Sequence, residues 1–293
     1  MKAQKMTPAT PKAIKRIIRN TQAHWVGDGF PVTTMFSYNT HGADVSPFLM
    51  LDYAGPAMFE PSDRPRGVEQ HPHRGFETVT IVYEGEVEHS DNAGNSGKIG
   101  PGDVQWMTAG RGILHEEMHG RDFTARGGVL EMIQLWVNLP AKDKMTAPAY
   151  QELAKAQIPV ISLPGEAGTL RVIAGDYNGT RGAARTFTPI NVFDMRLQAG
   201  GTTSLSLPDD FTTMALVLRG EVRVNGLKTL QPRDLALFEL AGEDILLEAT
   251  KDTAILLLNG APIDEPIAGY GPFVMNTQDE IRQAFDDYRA GRF

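Results

Sequence analysis

The chain of 293 residues contains no cysteine, so no disulfide can staple it and any metal must be held by nitrogen and oxygen rather than thiolate. That composition suits a reducing interior. It has no run of 18 apolar residues, which excludes a membrane-spanning helix, and its basic N-terminal stretch MKAQKMTPATPKAIKRIIRN lacks the apolar segment of a secretory signal. The stretch reads as a mobile tail, and a cytoplasmic location is expected. Positive charge is not in excess: 28 Lys and Arg against 36 Asp and Glu leave a net charge of −8. No basic footprint for phosphates follows, so direct nucleic-acid binding is not expected. Asn178-Gly179-Thr180 matches a glycosylation acceptor, but without export it reads as a turn.

What is present points to an all-β protein. Segments rich in β-branched and aromatic residues, such as ETVTIVYEGEVEHS, VLEMIQLWVNL and TTMALVLRGEVRVNG, recur between clusters of Gly, Pro, Asn and Asp. Helical periodicity occurs in two places. One is the alanine-rich stretch from Ala149 to Ala156. The other is the C-terminus, where Thr277 and Glu280 form a capping box and Ile281, Ala284, Phe285 and Tyr288 make an apolar stripe expected to dock on a barrel.

The chain also repeats itself. Tyr83-Glu84-Gly85-Glu86-Val87 recurs as Leu218-Arg219-Gly220-Glu221-Val222, and IGPGDVQWMTAG recurs as LQPRDLALFELAG. Two tandem copies of one β fold follow, with the hairpin between the blocks four residues shorter in the second copy. The proline-rich stretch around residues 140 to 168 reads as the linker, and a boundary near 148 divides the chain into domains 1–148 and 149–293.

The chemistry concentrates in the first copy. In a strand, side chains two apart share a face, so His71 and His73 of HPHRGFETVT can aim two imidazoles at one point, with Gly75, Glu77, Val79, Ile81 and Tyr83 continuing that face as the wall of a pocket. The same alternation places His115, Glu117 and His119 together. Three imidazoles and one carboxylate would hold a cation and leave coordination positions open. Spacing alone leaves this reading level with ordinary core or surface histidines. Counting from the repeat, the second copy carries Ser206, Pro208, Leu246 and Glu248 at the four positions, and no histidine occurs beyond His119. One metal per chain, in the first copy only, is the expectation.

HPHRGFETVT, with PGDVQWMTAGRGILHEE downstream and GPFVMNTQDEIRQAFDDY near the end, resembles the pirin family of bicupins. The resemblance runs from about residue 15 to the end. It implies two cupin barrels of the double-stranded β-helix, or jelly-roll, type with a C-terminal helix, and metal ligands at His71, His73, His115 and Glu117. In other cupins a carboxylate ligand comes from the position of Glu77; here Glu77 is expected to orient an imidazole instead. The resemblance further implies a flavonol dioxygenase that converts quercetin with O2 and releases carbon monoxide. Glu117 would act as the general base for the flavonol hydroxyl. Fe2+ is the first choice of divalent ion, with Zn2+, Mn2+, Ni2+, Co2+ and Cu2+ compatible with the same donors. The alternative that the resemblance carries is a metal- or redox-sensing regulator that binds a protein partner.

Weaker signals have plainer readings. His119 reads as a rim histidine, His89 as solvated at a strand end, and His24 and His41 as surface residues. Gly110 and Gly112 around Arg111 mark a tight turn, and Gly94 to Lys98 marks a hairpin loop. Trp106 and Trp136 are expected in the core.

Overall fold

The computed structural model describes residues 10–293. They form two compact units that interleave along the chain: residues 20–158, 182–189 and 262–293 make one, and residues 10–19, 159–181 and 190–261 the other. Each unit is built from a seven-stranded and a four-stranded antiparallel sheet. No helix among the described residues is long and apolar enough to cross a membrane.

In the first unit the large sheet runs in the order Ala149–Leu153, Val104–Thr108, Phe76–Glu84, Gly128–Asn138, Phe48–Phe59, Phe30–Ser37, Ala23–Val26. The small sheet runs Gly67–His73, Ile113–His119, Val87–Asp91, Ser96–Ile99. A core of Phe30, Val32, Val82, Val87, Ile99 and Leu130 draws on both sheets, so their apolar faces close on each other. Burial of each such side chain contributes about 1.5–3 kcal/mol.

The second unit repeats this plan. Its large sheet runs Ile14–Ile18, Leu235–Phe238, Thr212–Arg219, Thr253–Gly260, Ile190–Leu197, Gly168–Ala174, Val160–Ser162. Val87 pairs with Ile99 in one unit and Val222 with Leu230 in the other, so the second hairpin is four residues shorter, as the repeat predicts. Gly85 and Gly220 adopt φ of 86° and 79° at matching turns, which explains the repeated glycine.

Three expectations change. The boundary near 148 moves to between Ile158 and Pro159, and a single cut does not describe the chain. Ala149–Leu153 is a strand paired with Val104–Thr108 rather than a helix, because eight residues are too few to nucleate a helix beside an open sheet edge. Residues 1–9 of the expected tail lie outside the described residues, but Ile14–Ile18 forms the edge strand next to Leu235–Phe238. It occupies in the second unit the place that Ala149–Leu153 has in the first.

The terminal helix, Gln278–Arg289, belongs to the first unit rather than the second. Thr277 Oγ1 accepts from the Glu280 amide at 3.2 Å, and Glu280 Oε2 accepts from the Thr277 amide at 2.8 Å, closing the expected capping box. Ile281, Ala284 and Phe285 pack on Ala268, Phe273 and Met275, whereas Tyr288 is 41% exposed, its ring set against Phe273 and Phe293 at the edge of the cluster.

Candidate metal centre

Antiparallel pairing sets His71 opposite His115 and His73 opposite Ile113, which brings two sequence-distant segments into one register. The rings of His71, His73 and His115 meet with centroids 4.3 to 4.9 Å apart, and each offers a nitrogen within 4.8 Å of the others. His73 and His115 are buried and His71 is half-buried. Phe76 and Trp136 wall the His73 ring at 5.0 and 5.3 Å.

Desolvation, reinforced by His71, pushes His73 down to about 3. Desolvation, then His73, His71 and His89, hold His115 well below the ordinary imidazole range. Both rings are therefore neutral near pH 7, with lone pairs free to bind a cation. The Nδ1 of His71 lies 2.8 Å from the Glu69 carbonyl and that of His73 lies 3.3 Å from the Pro272 carbonyl. A carbonyl only accepts, so each Nδ1 carries the proton and each Nε2 presents a lone pair, the arrangement of a ligating imidazole. His115 Nε2 is buried with no hydrogen-bond partner. A buried nitrogen without a partner costs free energy, and three imidazoles this close offer donors of the kind that hold a divalent cation.

Glu117 stands apart from this trio. Its carboxylate sits in a box of amides: Gln134 Nε2 donates to Oε2 at 2.8 Å, and Gln105 Nε2 donates to Oε1. The Thr80 hydroxyl is 3.0 Å from Glu117 Oε1 and 2.8 Å from Gln134 Oε1, and its single proton serves one of them at a time. A carboxylate held this way is oriented inside the barrel on the same inward strand face as His115.

The pirin family pattern matches residues 29–137, and that of the pirin C-terminal cupin domain matches residues 192–293. The chain belongs to the pirin family. Its two units are cupin barrels, followed by the C-terminal helix. A protein of Pseudomonas aeruginosa provisionally named quercetin 2,3-dioxygenase is 55% identical over 282 residues, 96% of this chain and 98% of its own. Human pirin is 39% identical over 253 residues, 84% of this chain and 82% of its own. The crystal structure of a quercetin 2,3-dioxygenase from Acinetobacter baumannii matches with a TM-score of 0.94 at 50% identity, covering 97% of this chain and 98% of that one.

Within this pirin fold several sequence expectations are corrected. The strand that begins at Gly67 ends at His73, and Gly75 at φ 88° breaks it before Phe76–Glu84 begins. A Cβ at Gly75 would lie 2.0 Å from the Val274 carbonyl oxygen, so the turn requires glycine. The break resets the alternation: Phe76 and Thr80 face the site, whereas Glu77, Val79 and Ile81 lie on the opposite face. Glu77 orients no imidazole; it accepts from Thr108 Oγ1 at 2.7 Å, and burial, opposed by that bond, raises its carboxyl to about 7. Arg74 pairs with Asp287 at 2.7 Å.

His119 is buried rather than at a rim, its Nε2 donating to the Gly29 carbonyl at 2.8 Å inside a ring of Phe30, Phe59 and Phe123. His89 is buried as well, 2% exposed. Trp106 is core, but Trp136 belongs to the site wall. In the second barrel the register differs by one residue from the sequence count: Leu246 is exposed, Glu248 pairs with Arg223, and Leu205, Ile245 and Leu247 fill the interior. Sequence reasoning missed Thr80, Gln105, Gln134 and the His89–Asp91 pair. The signal for Thr80 was its alternation with Thr78 in TVTI, which marks a polar face in an otherwise apolar strand.

Proposed function

We propose that the first barrel holds one divalent cation on His71, His73, His115 and Glu117, and that the protein is a flavonol 2,3-dioxygenase that uses O2. The observation that carries the reading is the meeting of three imidazoles, each with a nitrogen within 4.8 Å of the others, together with the buried and unpartnered Nε2 of His115. The quercetin 2,3-dioxygenase names of relatives at 55% and 50% identity supply the substrate class.

When bound, the cation supplies Lewis acidity toward an anionic flavonol oxygen and a centre for oxygen chemistry. The protein supplies the rest. His73 and His115 remain neutral, so they hold the ion without proton competition near pH 7. Glu117 takes the proton of the flavonol hydroxyl, and its amide box keeps the carboxylate aimed while it does so. Phe76 and Trp136 exclude water from the His73 side. Fe2+ is the first ion to test, with Mn2+, Co2+, Ni2+, Cu2+ and Zn2+ beside it, because this donor set accepts all of them.

The test is metal analysis of freshly purified protein, followed by oxygen uptake and carbon monoxide release with quercetin for each reloaded ion. Metal-dependent turnover with both gas signals is expected. A protein that binds metal but stays inert with every ion would move the site to the metal-sensing role.

A further inference from the structure

One of the three imidazoles is oriented differently from the others. His71 and His73 each meet a backbone carbonyl through Nδ1, whereas His115 Nδ1 lies 3.4 Å from His89 Nδ1. The strand Val87–Asp91 pairs with Ile113–His119, setting Asp91 opposite His115 and His89 opposite Glu117. His89 Nε2 is 3.2 Å from Asp91 Oδ2, with both side chains wholly excluded from solvent. Asp91 is itself anchored: its Oδ1 accepts from the amides of Ala93 and Asn95, each at 2.9 Å. The His89 ring stacks on Tyr150 with centroids 4.7 Å apart and planes 15° from parallel.

We infer that Asp91 and His89 are a positioning pair that sets the tautomer of His115, keeping its proton on Nδ1 and its Nε2 lone pair toward the cation. The inference rests on the metal-centre reading above. A carboxylate accepts only, so the facing His89 Nε2 carries a proton. The contact between the two Nδ1 atoms takes one donor and one acceptor; His115 Nε2, buried without a partner beside His71 and His73, is the bare nitrogen of its ring, so His115 Nδ1 donates and His89 Nδ1 accepts. Two rings thus transmit the polarity of one acid to a ligand that no backbone carbonyl reaches. Partners behind ligating histidines typically affect metal affinity 10- to 100-fold.

Asp91→Asn reverses the line. The amide oxygen stays with the Ala93 and Asn95 amides, which places the NH2 group against His89 Nε2; His89 must then accept there, donate from Nδ1, and drive the His115 proton to Nε2. His89→Asn is the conservative control, because its side-chain oxygen replaces the accepting Nδ1.

The experiment uses full-length, metal-stripped protein with 15N-labelled histidine, reading the protonated ring nitrogen of His115 by long-range 1H–15N correlation, and Zn2+ affinity by chelator competition. Wild type is expected to show Nδ1–H; Asp91→Asn is expected to show Nε2–H with Zn2+ affinity reduced 10- to 100-fold. His89→Asn should retain Nδ1–H and bind Zn2+ within about threefold of wild type, since the accepting atom remains. Wild type with Nε2–H, or Asp91→Asn with tautomer and affinity unchanged, would overturn the relay. Should Asp91→Asn fail to fold, the wild-type and His89→Asn spectra decide. Wild type that shows Nδ1–H yet binds no Zn2+ sinks the metal centre itself, so the two failures are told apart.

Discussion

Lys144 Nζ lies 2.8 Å from the carbonyl oxygen of Gly75, the glycine at which the strand carrying His71 and His73 breaks. The same nitrogen donates to Asn138 Oδ1 at 2.7 Å and to the Val274 carbonyl at 3.0 Å, and the side chain is 1% exposed. The one nitrogen thus serves three buried acceptors and ties the end of the strand that carries His71 and His73 to the segment leading into the terminal helix.

Replacing that lysine leaves three buried acceptors unpaired. Lys144→Met is expected to lower the unfolding free energy by on the order of 3 kcal/mol in denaturant titration. A loss below about 0.5 kcal/mol would mean the acceptors find other partners and the clamp is dispensable.

Acid should weaken the metal-free protein through His73. Its folded value of about 3 lies below the unfolded 6.5, so between those limits the unfolded chain binds more protons and stability falls as pH drops. At pH 5 this amounts to about 2 kcal/mol relative to pH 7. His73→Gln should flatten the pH dependence of unfolding below 6.5; an unchanged slope would assign the acid sensitivity elsewhere.

Glu77 acts in the opposite direction. Its folded value of about 7 exceeds the ordinary 4.5, so stability falls as pH rises from about 4.5 to 7 and the cost is complete above 7. Glu77→Gln keeps an oxygen to accept from Thr108 and removes the charge. It should be more stable than wild type by on the order of 3 kcal/mol at pH 8 and no different at pH 4. Because Glu77 faces away from the imidazoles, quercetin turnover should not change.

Glu117 is the test of chemistry rather than stability. Glu117→Gln preserves the size of the side chain inside its amide box but cannot take a proton. Quercetin-dependent oxygen uptake is expected to fall by roughly a hundredfold or more. Uptake within twofold of wild type would remove Glu117 from the proton transfer.

Much of this was legible locally. HPH and HEE at period two, the repeated YEGE and LRGE turns, and the Thr277–Glu280 box are short-range patterns, and each maps to a strand, a hairpin or a helix start that its own residues favour. The pocket wall was not, because alternation holds only within one unbroken strand. At Gly75 the backbone turns through positive φ, the parity resets, and Thr80 takes the inward place that counting assigns to Val79 or Ile81.

The order of residues by itself determined the duplicated all-β architecture, the period-two placement of His71 and His73 and the capped terminal helix, since these depend on neighbours a few positions apart. Tertiary structure alone decided that Ile14–Ile18 completes the second barrel's sheet and the terminal helix joins the first barrel. It alone set Asp91 and His89 behind His115, and the amides of Gln105 and Gln134 around Glu117. The physical reason is that an open sheet edge accepts any strand with free hydrogen-bonding groups, and a buried polar atom takes whichever partner the packing brings. Neither preference leaves a mark on local spacing.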